Sequence, residues 1–320
     1  MKVKAFLTAA IVSAACLFSS CGDIRIPVEN NFSQMLSADG GKPVFVSVNI
    51  LRDNEATVVK LGSSLTSYSD EFVSALTSAK LSELPEQSEL HGNDSMLLQI
   101  EILRNGSDKS QGMNFCYMGL FNDGALSVFG TEEFCGEGKS YMLSVNDVNK
   151  IMLAAEHIVD NRTSCPPPMR ITDPLSSYSH SGAMIAPAGF SWSYTDSDGN
   201  GQSIVADALH PLDESASPVK INRLYSTAVM LEFPAGFEPD KITIKGWDIS
   251  PKGDTSSETI YHPKTEYENN FPSEGDYTGF HQLESNTVYM VTVAYDNTKS
   301  AERGFSGTAD YYFETGELSE

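Results

Sequence analysis

The six residues Asp196-Ser197-Asp198-Gly199-Asn200-Gly201 carry a type and spacing that could do chemistry in this 320-residue chain. They form the D-x-D-x-N-G opening of a calcium-binding loop, with oxygen ligands at positions one, three and five and a glycine for the sharp turn. Asp207 falls at position twelve, where such a loop places its last carboxylate. The same six residues also make an acidic glycine turn between two strands, and three features favour that reading. Position eight is Ser203 instead of a packed isoleucine, and the flanks Phe190-Trp192-Tyr194 and Ile204–Ala206 alternate as strands. Short acidic turns of this kind also suit an acidic surface. Calcium, held by Asp196, Asp198, Asn200 and Asp207, is the alternative, and no other cofactor is expected.

A second group is aromatic. Phe190, Trp192 and Tyr194 share one strand face, opposite Ser191, Ser193 and Thr195. Such a row can stack sugars, but the polar opposite face already supplies a solvent side, so the row reads as core, with Trp247 in the same layer. Catalytic signatures do not emerge. The six histidines are scattered with no H-E-x-x-H spacing, and there is no G-x-S-x-G elbow. Ser217-Pro218-Val219-Lys220 fits S-x-x-K formally, but that pattern needs a helix and Pro218 lies in an extended stretch. No catalytic residue is assigned.

Position in the cell is set by the start of the chain. Lys2 and Lys4 precede an apolar run, Ala5–Phe18, of about 14 residues, which is too short to span a bilayer comfortably. Residues 1–20 therefore read as a signal peptide. Leu17-Phe18-Ser19-Ser20-Cys21 resembles a bacterial lipobox, in which the cysteine is diacylated and becomes the first mature residue. Two acyl chains hold stably where one is marginal, so the expected location is extracytoplasmic, lipid-anchored to the bacterial cell membrane through Cys21.

Charge and cysteines narrow the partners. Loss of residues 1–20 removes two lysines and no acids, moving the net charge from −22 to −24. That charge repels nucleic-acid phosphate and anionic headgroups, so nucleic acid is excluded and attachment rests on the lipid. Removal of Cys16 with residues 1–20 and lipidation at Cys21 leave Cys116, Cys135 and Cys165, an odd set for an oxidising compartment. Cys116–Cys135 is the favoured disulfide, closing a loop of about 20 residues worth roughly 3 kcal/mol. Pairing of either with Cys165, and three reduced thiols, stay open.

The elements that must position these residues fall into two groups. Residues 21–42, with Asn30-Asn31 and Gly40-Gly41, read as a flexible tether. Over 43–160, Val44, Val46, Val48 and Ile50 alternate as a strand, and 56–61 returns as its partner after Asp53-Asn54. Ser69 is the expected N-cap of a helix with Phe72, Val73, Leu76 and Ala79 as its stripe. Strands follow at Met96–Arg104, Met113–Phe121, Ala125–Gly130 and Lys139–Leu143, then a second helix capped near Ser144 or Asn146. This order describes an α+β domain, an antiparallel sheet with two helices. Thr163-Ser164-Cys165-Pro166-Pro167-Pro168 marks a proline-rich linker over 161–172. Over 173–320 the helical signal nearly vanishes and seven strands recur at sandwich-like spacing, from Phe190–Thr195 to Thr308–Thr315.

Leu283-Glu284-Ser285-Asn286-Thr287-Val288-Tyr289, with Val291 and Val293, resembles the L-x-P-G-T-x-Y-x-V-x-V run of fibronectin type III domains, Ser285 and Asn286 standing for proline and glycine. The resemblance implies an all-β Ig-like sandwich whose tyrosine hydroxyl ties back to the backbone at a corner. Phe190–Tyr194, Ala206–Asp213, Ile242–Asp248 and Gly307–Phe313 resemble blocks in uncharacterised surface lipoproteins of Gram-positive, Clostridia-like bacteria. That likeness implies a surface lipoprotein with a β-rich C-terminal domain and brings no activity. The expected function is non-catalytic binding at the cell surface, with a surface protein or glycan as partner. The alternatives are an envelope- or glycan-acting hydrolase, and a sensory or regulatory lipoprotein.

Overall fold

The computed structural model describes residues 27–29, 31–32, 44–52, 57–64, 67–84, 96–105, 113–130, 138–172, 182–221, 228–249, 265–270 and 278–316. The chain is mostly antiparallel β-sheet with a few helices. None of the described helices is long and apolar enough to cross a membrane.

Described elements of the first half run β1 (Pro27–Val28), β2 (Val44–Arg52), β3 (Thr57–Ser64), α1 (Ser67–Ser78), β4 (Leu81–Glu83), β5 (Met96–Asn105), β6 (Met113–Phe121), β7 (Ala125–Gly130), β8 (Lys139–Met142) and α2 (Val145–Asp160). Among the described residues these strands form one eight-stranded antiparallel sheet in the order β1-β4-β8-β7-β6-β5-β2-β3. Strand alternation sends Val46, Val48, Leu98, Ile100, Ile102, Met118 and Leu120 to one face, where they share a core with Phe72 and Leu76 of α1 and Ile151 and Ile158 of α2. Helix α2 starts where Ser144 accepts a hydrogen bond from the Asp147 N–H (3.1 Å) and donates its hydroxyl to the Asp147 carboxylate (2.8 Å). His157 and Glu71, 3.0 Å apart, join the two helices.

Two expectations change here. Helix α1 begins at Ser67, so Ser69 is a buried first-turn residue and not the cap; Tyr68 packs on the same core and draws the start upstream. Residues 21–42 are not a free tether throughout. Pro27 and Val28 pair with Ser82 and Leu81, and Phe32 is buried, edge-on to Tyr141 at 5.9 Å. Burying one phenylalanine gains roughly 1.5–3 kcal/mol, which favours this short segment on the sheet.

Beyond α2 come β9 (Met169–Thr172), β10 (Ala183–Ile185), β11 (Pro187–Thr195), β12 (Gly201–Ala206), β13 (Val219–Ile221), β14 (Ala228–Glu232), β15 (Lys241–Asp248), β16 (Thr265–Asn270), β17 (Thr278–Gln282), β18 (Thr287–Tyr295), a single-turn α3 (Ser300–Arg303) and β19 (Phe305–Thr315). They form a four-stranded sheet, β10-β9-β14-β17, and a seven-stranded sheet, β12-β11-β19-β18-β15-β16, in which β13 runs parallel to the end of β19. One core draws Met169, Ile171, Val229 and Leu231 from the smaller sheet and Trp192, Ile244, Tyr289, Val291, Val293, Tyr311 and Phe313 from the larger. Trp192 stacks on Phe305 with ring centres 5.0 Å apart. Its register partner Gly307, at φ +140°, passes so close to β11 that a Cβ there would lie 2.1 Å from the Ser191 carbonyl.

The proline segment is packed, not a free linker over 161–172. Pro166, Pro167 and Pro168 are buried and the last four residues are β9. A polyproline stretch leaves its carbonyls without a ladder, and aromatic donors cover them here: Trp192 Nε1 donates to the Thr163 carbonyl and the Tyr311 hydroxyl to the Pro167 carbonyl, each at 2.7 Å. Trp247 also departs from expectation. Ile242 and Ile244 of β15 face the core, so alternation puts Trp247 on the outer face, where His210 meets it edge-on at 4.9 Å.

Candidate functional site

The acidic turn joins β11 to β12 and is closed by its own hydrogen bonds. Asp196 Oδ1 accepts from the N–H groups of Asp198 (3.1 Å) and Asn200 (2.8 Å), and Oδ2 accepts from the Gln202 side chain (2.8 Å). The Gln202 bond and the Asn200 backbone bond hold the Asp196 carboxyl below its ordinary range. Asp196, Asp198 and Asn200 thus lie together, but Asp207 does not join them. Thr195 pairs with Gly201 and Phe190 with Ala206, so Asp207 follows the far end of the hairpin, roughly 17 Å along the strand from the turn. Among the described residues no group of three or more His, Cys, Asp or Glu could hold a metal ion. Cys116 is buried on β6, while Cys135 and Cys21 lie outside the described residues.

A larger feature lies on the face of the eight-stranded sheet away from the helices. The registers stack its outward residues into rows. Asn49, Gln99, Gly119, Ser127 and Ser140 make one row; Ser47, Glu101, Tyr117 and Phe129 make the next. Small side chains in the first row leave a hollow of about 590 Å³, with the amides at one end and Phe129 at the other. A Cβ on Gly119 would come within 3.2 Å of the Met96 methyl, so glycine keeps the floor open. Phe121, Ala125 and Met142 cluster at one border. Phe45, Leu103, Met113 and Met184 cluster at the other, where the two halves of the chain meet.

Polar groups in the hollow are fixed in place. Tyr117 donates its hydroxyl to Glu101 Oε1 at 2.7 Å across β5 and β6. Burial, and then this hydrogen bond, push the Tyr117 phenol well above its usual range. Asn49 Oδ1 is buried and makes no hydrogen bond among the described residues. Phe129 is 58% exposed and Tyr117 36%, and the Phe115 ring lies 6.1 and 5.2 Å from theirs. A second hollow of about 200 Å³ shares Ser47 and Glu101 and reaches Arg170, whose guanidinium lies 3.8 Å from Glu232. The arrangement can stack a flat apolar ring face and exchange hydrogen bonds at Gln99, Ser127 and Glu101.

The aromatic row on β11 is not such a platform. Trp192 is fully buried and Phe190 and Tyr194 pack on its core, while Ser191, Ser193 and Thr195 face out. The sequence did hold a signal for the open face. In Met113–Phe121 both strand parities are apolar, with Phe115, Tyr117 and Phe121 opposite Cys116, Met118 and Leu120. A one-sided sheet strand alternates apolar with polar, so apolar residues on both faces mark a second covered or binding surface. No protein family, curated sequence or solved structure matches the chain.

Proposed function

We propose that this chain is a lipid-anchored, extracytoplasmic binding protein of the bacterial surface, and that the open face of its eight-stranded sheet takes a neutral glycan. The hollow of about 590 Å³, with exposed aromatic rings beside paired amides and a tethered carboxylate, carries this reading. Apolar ring faces suit pyranose faces, and side-chain amides and carboxylates suit vicinal hydroxyls. Binding is favoured over hydrolysis because, among the described residues, Glu101 is the one carboxylate lining the hollow, whereas paired-carboxylate hydrolysis needs two.

The finer fold reading is an α+β domain followed by an Ig-like sandwich of the fibronectin type III kind. The order β9-β14-β17 in one sheet and β19-β18-β15-β16 in the other supports it, as does the Tyr289 hydroxyl, which accepts from the Glu284 N–H at 2.7 Å. In that reading β10, β11 and β12 are an insertion before the second core strand. Attachment at Cys21 would leave six residues before Pro27, a reach of at most about 20 Å, and so place the β1–β4 edge of the sheet next to the bilayer.

Calorimetric titration of the purified chain with a panel of neutral bacterial and host oligosaccharides tests the site. Saturable binding lost in Phe129→Ala is expected, with the melting temperature unchanged because the ring is exposed. An absence of saturable binding across the panel, or binding indifferent to Phe129→Ala, would remove the proposal. Labelled-palmitate incorporation abolished by Cys21→Ala tests the anchor separately.

A further inference from the structure

We infer that the free edge of β12 is a pairing surface for a second copy of this chain, giving a two-fold dimer through an antiparallel β12–β12 ladder. Among the described residues β12 has a strand on one side alone, β11. The free groups on the other side follow from the hairpin. The Asp196 N–H bonds to the Asn200 carbonyl at 2.9 Å, so hydrogen-bonded pairs recur at Tyr194–Gln202, Trp192–Ile204 and Phe190–Ala206. Gly201, Ser203 and Val205 therefore turn their N–H and C=O groups outward. The Thr195 N–H agrees with this phase, since it bonds away from the hairpin to the Gly304 carbonyl at 2.9 Å.

Outward groups at alternate residues allow several registers, and one of them pairs all three residues at once. Ser203 falls opposite the Ser203 of its copy and Gly201 opposite Val205, a symmetric arrangement giving about six main-chain hydrogen bonds. Side chains fit the same register. Val205, 66% exposed, lies over a glycine, and Ile204, 41% exposed, lies opposite Gln202. Charge favours it as well. On a chain of net charge −22, Gly201–Ala206 holds no charged residue. The strand also lacks the lysine or proline that commonly guards an exposed edge.

Sedimentation equilibrium of the purified chain over a range of concentrations tests the inference. A monomer–dimer equilibrium is expected, with Ser203→Pro and Val205→Lys each raising the dimer Kd at least about tenfold. Ser203→Pro removes an outward N–H and leaves the β11 ladder intact, since residue 203 bonds outward. Val205→Lys keeps the backbone unchanged, so it remains informative if the proline variant misfolds, and near-ultraviolet dichroism of the buried Trp192 reports the fold of each. A wild-type chain that stays monomeric at about 100 μM, or a dimer that neither substitution weakens, would overturn the inference.

Discussion

Asn286 takes φ +50° where an L-residue is uncommon, and it lets the chain turn so that Tyr289 reaches back to the Glu284 N–H. Thr315 seals the same corner by accepting from the Thr287 N–H at 3.1 Å and donating to the Glu284 carbonyl. Removing the Tyr289 hydroxyl strands a part-buried N–H, so Tyr289→Phe should cost about 1–3 kcal/mol. A thermal melt should fall by roughly 2–4 °C per kcal/mol for a chain of this size class; an unchanged melt would deny the corner a structural part. The acidic turn leads to an opposite expectation. Asp196 already accepts three internal bonds, and a cation would compete with them. Melts in excess calcium and in EDTA should coincide. Calcium at 100 times its dissociation constant would add about 2.7 kcal/mol, so a shift abolished by Asp198→Ala would restore the calcium site.

At the scale of elements, Asp240 ties the start of β15 to the α3 turn. Its carboxylate accepts from both Arg303 guanidinium nitrogens (2.6 and 3.1 Å), from the Asp296 N–H (2.7 Å) and from Lys299. Burial alone would raise its pKa, but the Arg303, Asp296 and Lys299 bonds outweigh burial and hold it at about 2, against 3.8 for the free group. A depressed folded value gives stabilisation that is complete above about pH 4 and is lost as the pH falls towards 2. Asp240→Asn should therefore cost about 2 kcal/mol at pH 7 and progressively less below pH 4, as read from denaturant midpoints across pH. A deficit independent of pH would assign the loss to packing. Elements with strong local patterns were legible in sequence: Met113–Phe121 and Ala125–Gly130 match residue for residue, and Ser144 is the cap of α2. The corner at Tyr289 was legible too, because five neighbouring residues specify it. Short strands such as Leu81–Glu83, Met169–Thr172 and Ala183–Ile185 were not, since three or four residues carry no period and depend on the partner strand. The open face was legible only in part: the two apolar parities of Met113–Phe121 signal it, but its rows run across β2, β5, β6, β7 and β8, and no single segment contains them.

For the whole molecule, the junction between halves is a side chain acting as a strand. Asn105 donates to the Met184 carbonyl at 2.7 Å and accepts from the Met184 N–H at 2.8 Å, above the Phe45, Leu103 and Met113 cluster. With the buried prolines stitched to Trp192 and Tyr311, this clamp couples the halves. Asn105→Leu strands two backbone groups, a cost of about 1–3 kcal/mol each when unsatisfied. Calorimetry should show one transition for the native chain and two for the variant; two transitions in the native chain would mean that the halves melt independently. The central claim is that the open sheet face is where this protein meets its ligand. Hydrogen–deuterium exchange with and without the oligosaccharide that binds in titration tests it most directly. Protection at Gln99–Glu101, Tyr117–Gly119 and Ser127–Phe129 is the predicted result. Protection confined to the 196–201 turn or to the outer face around Trp247 would contradict it.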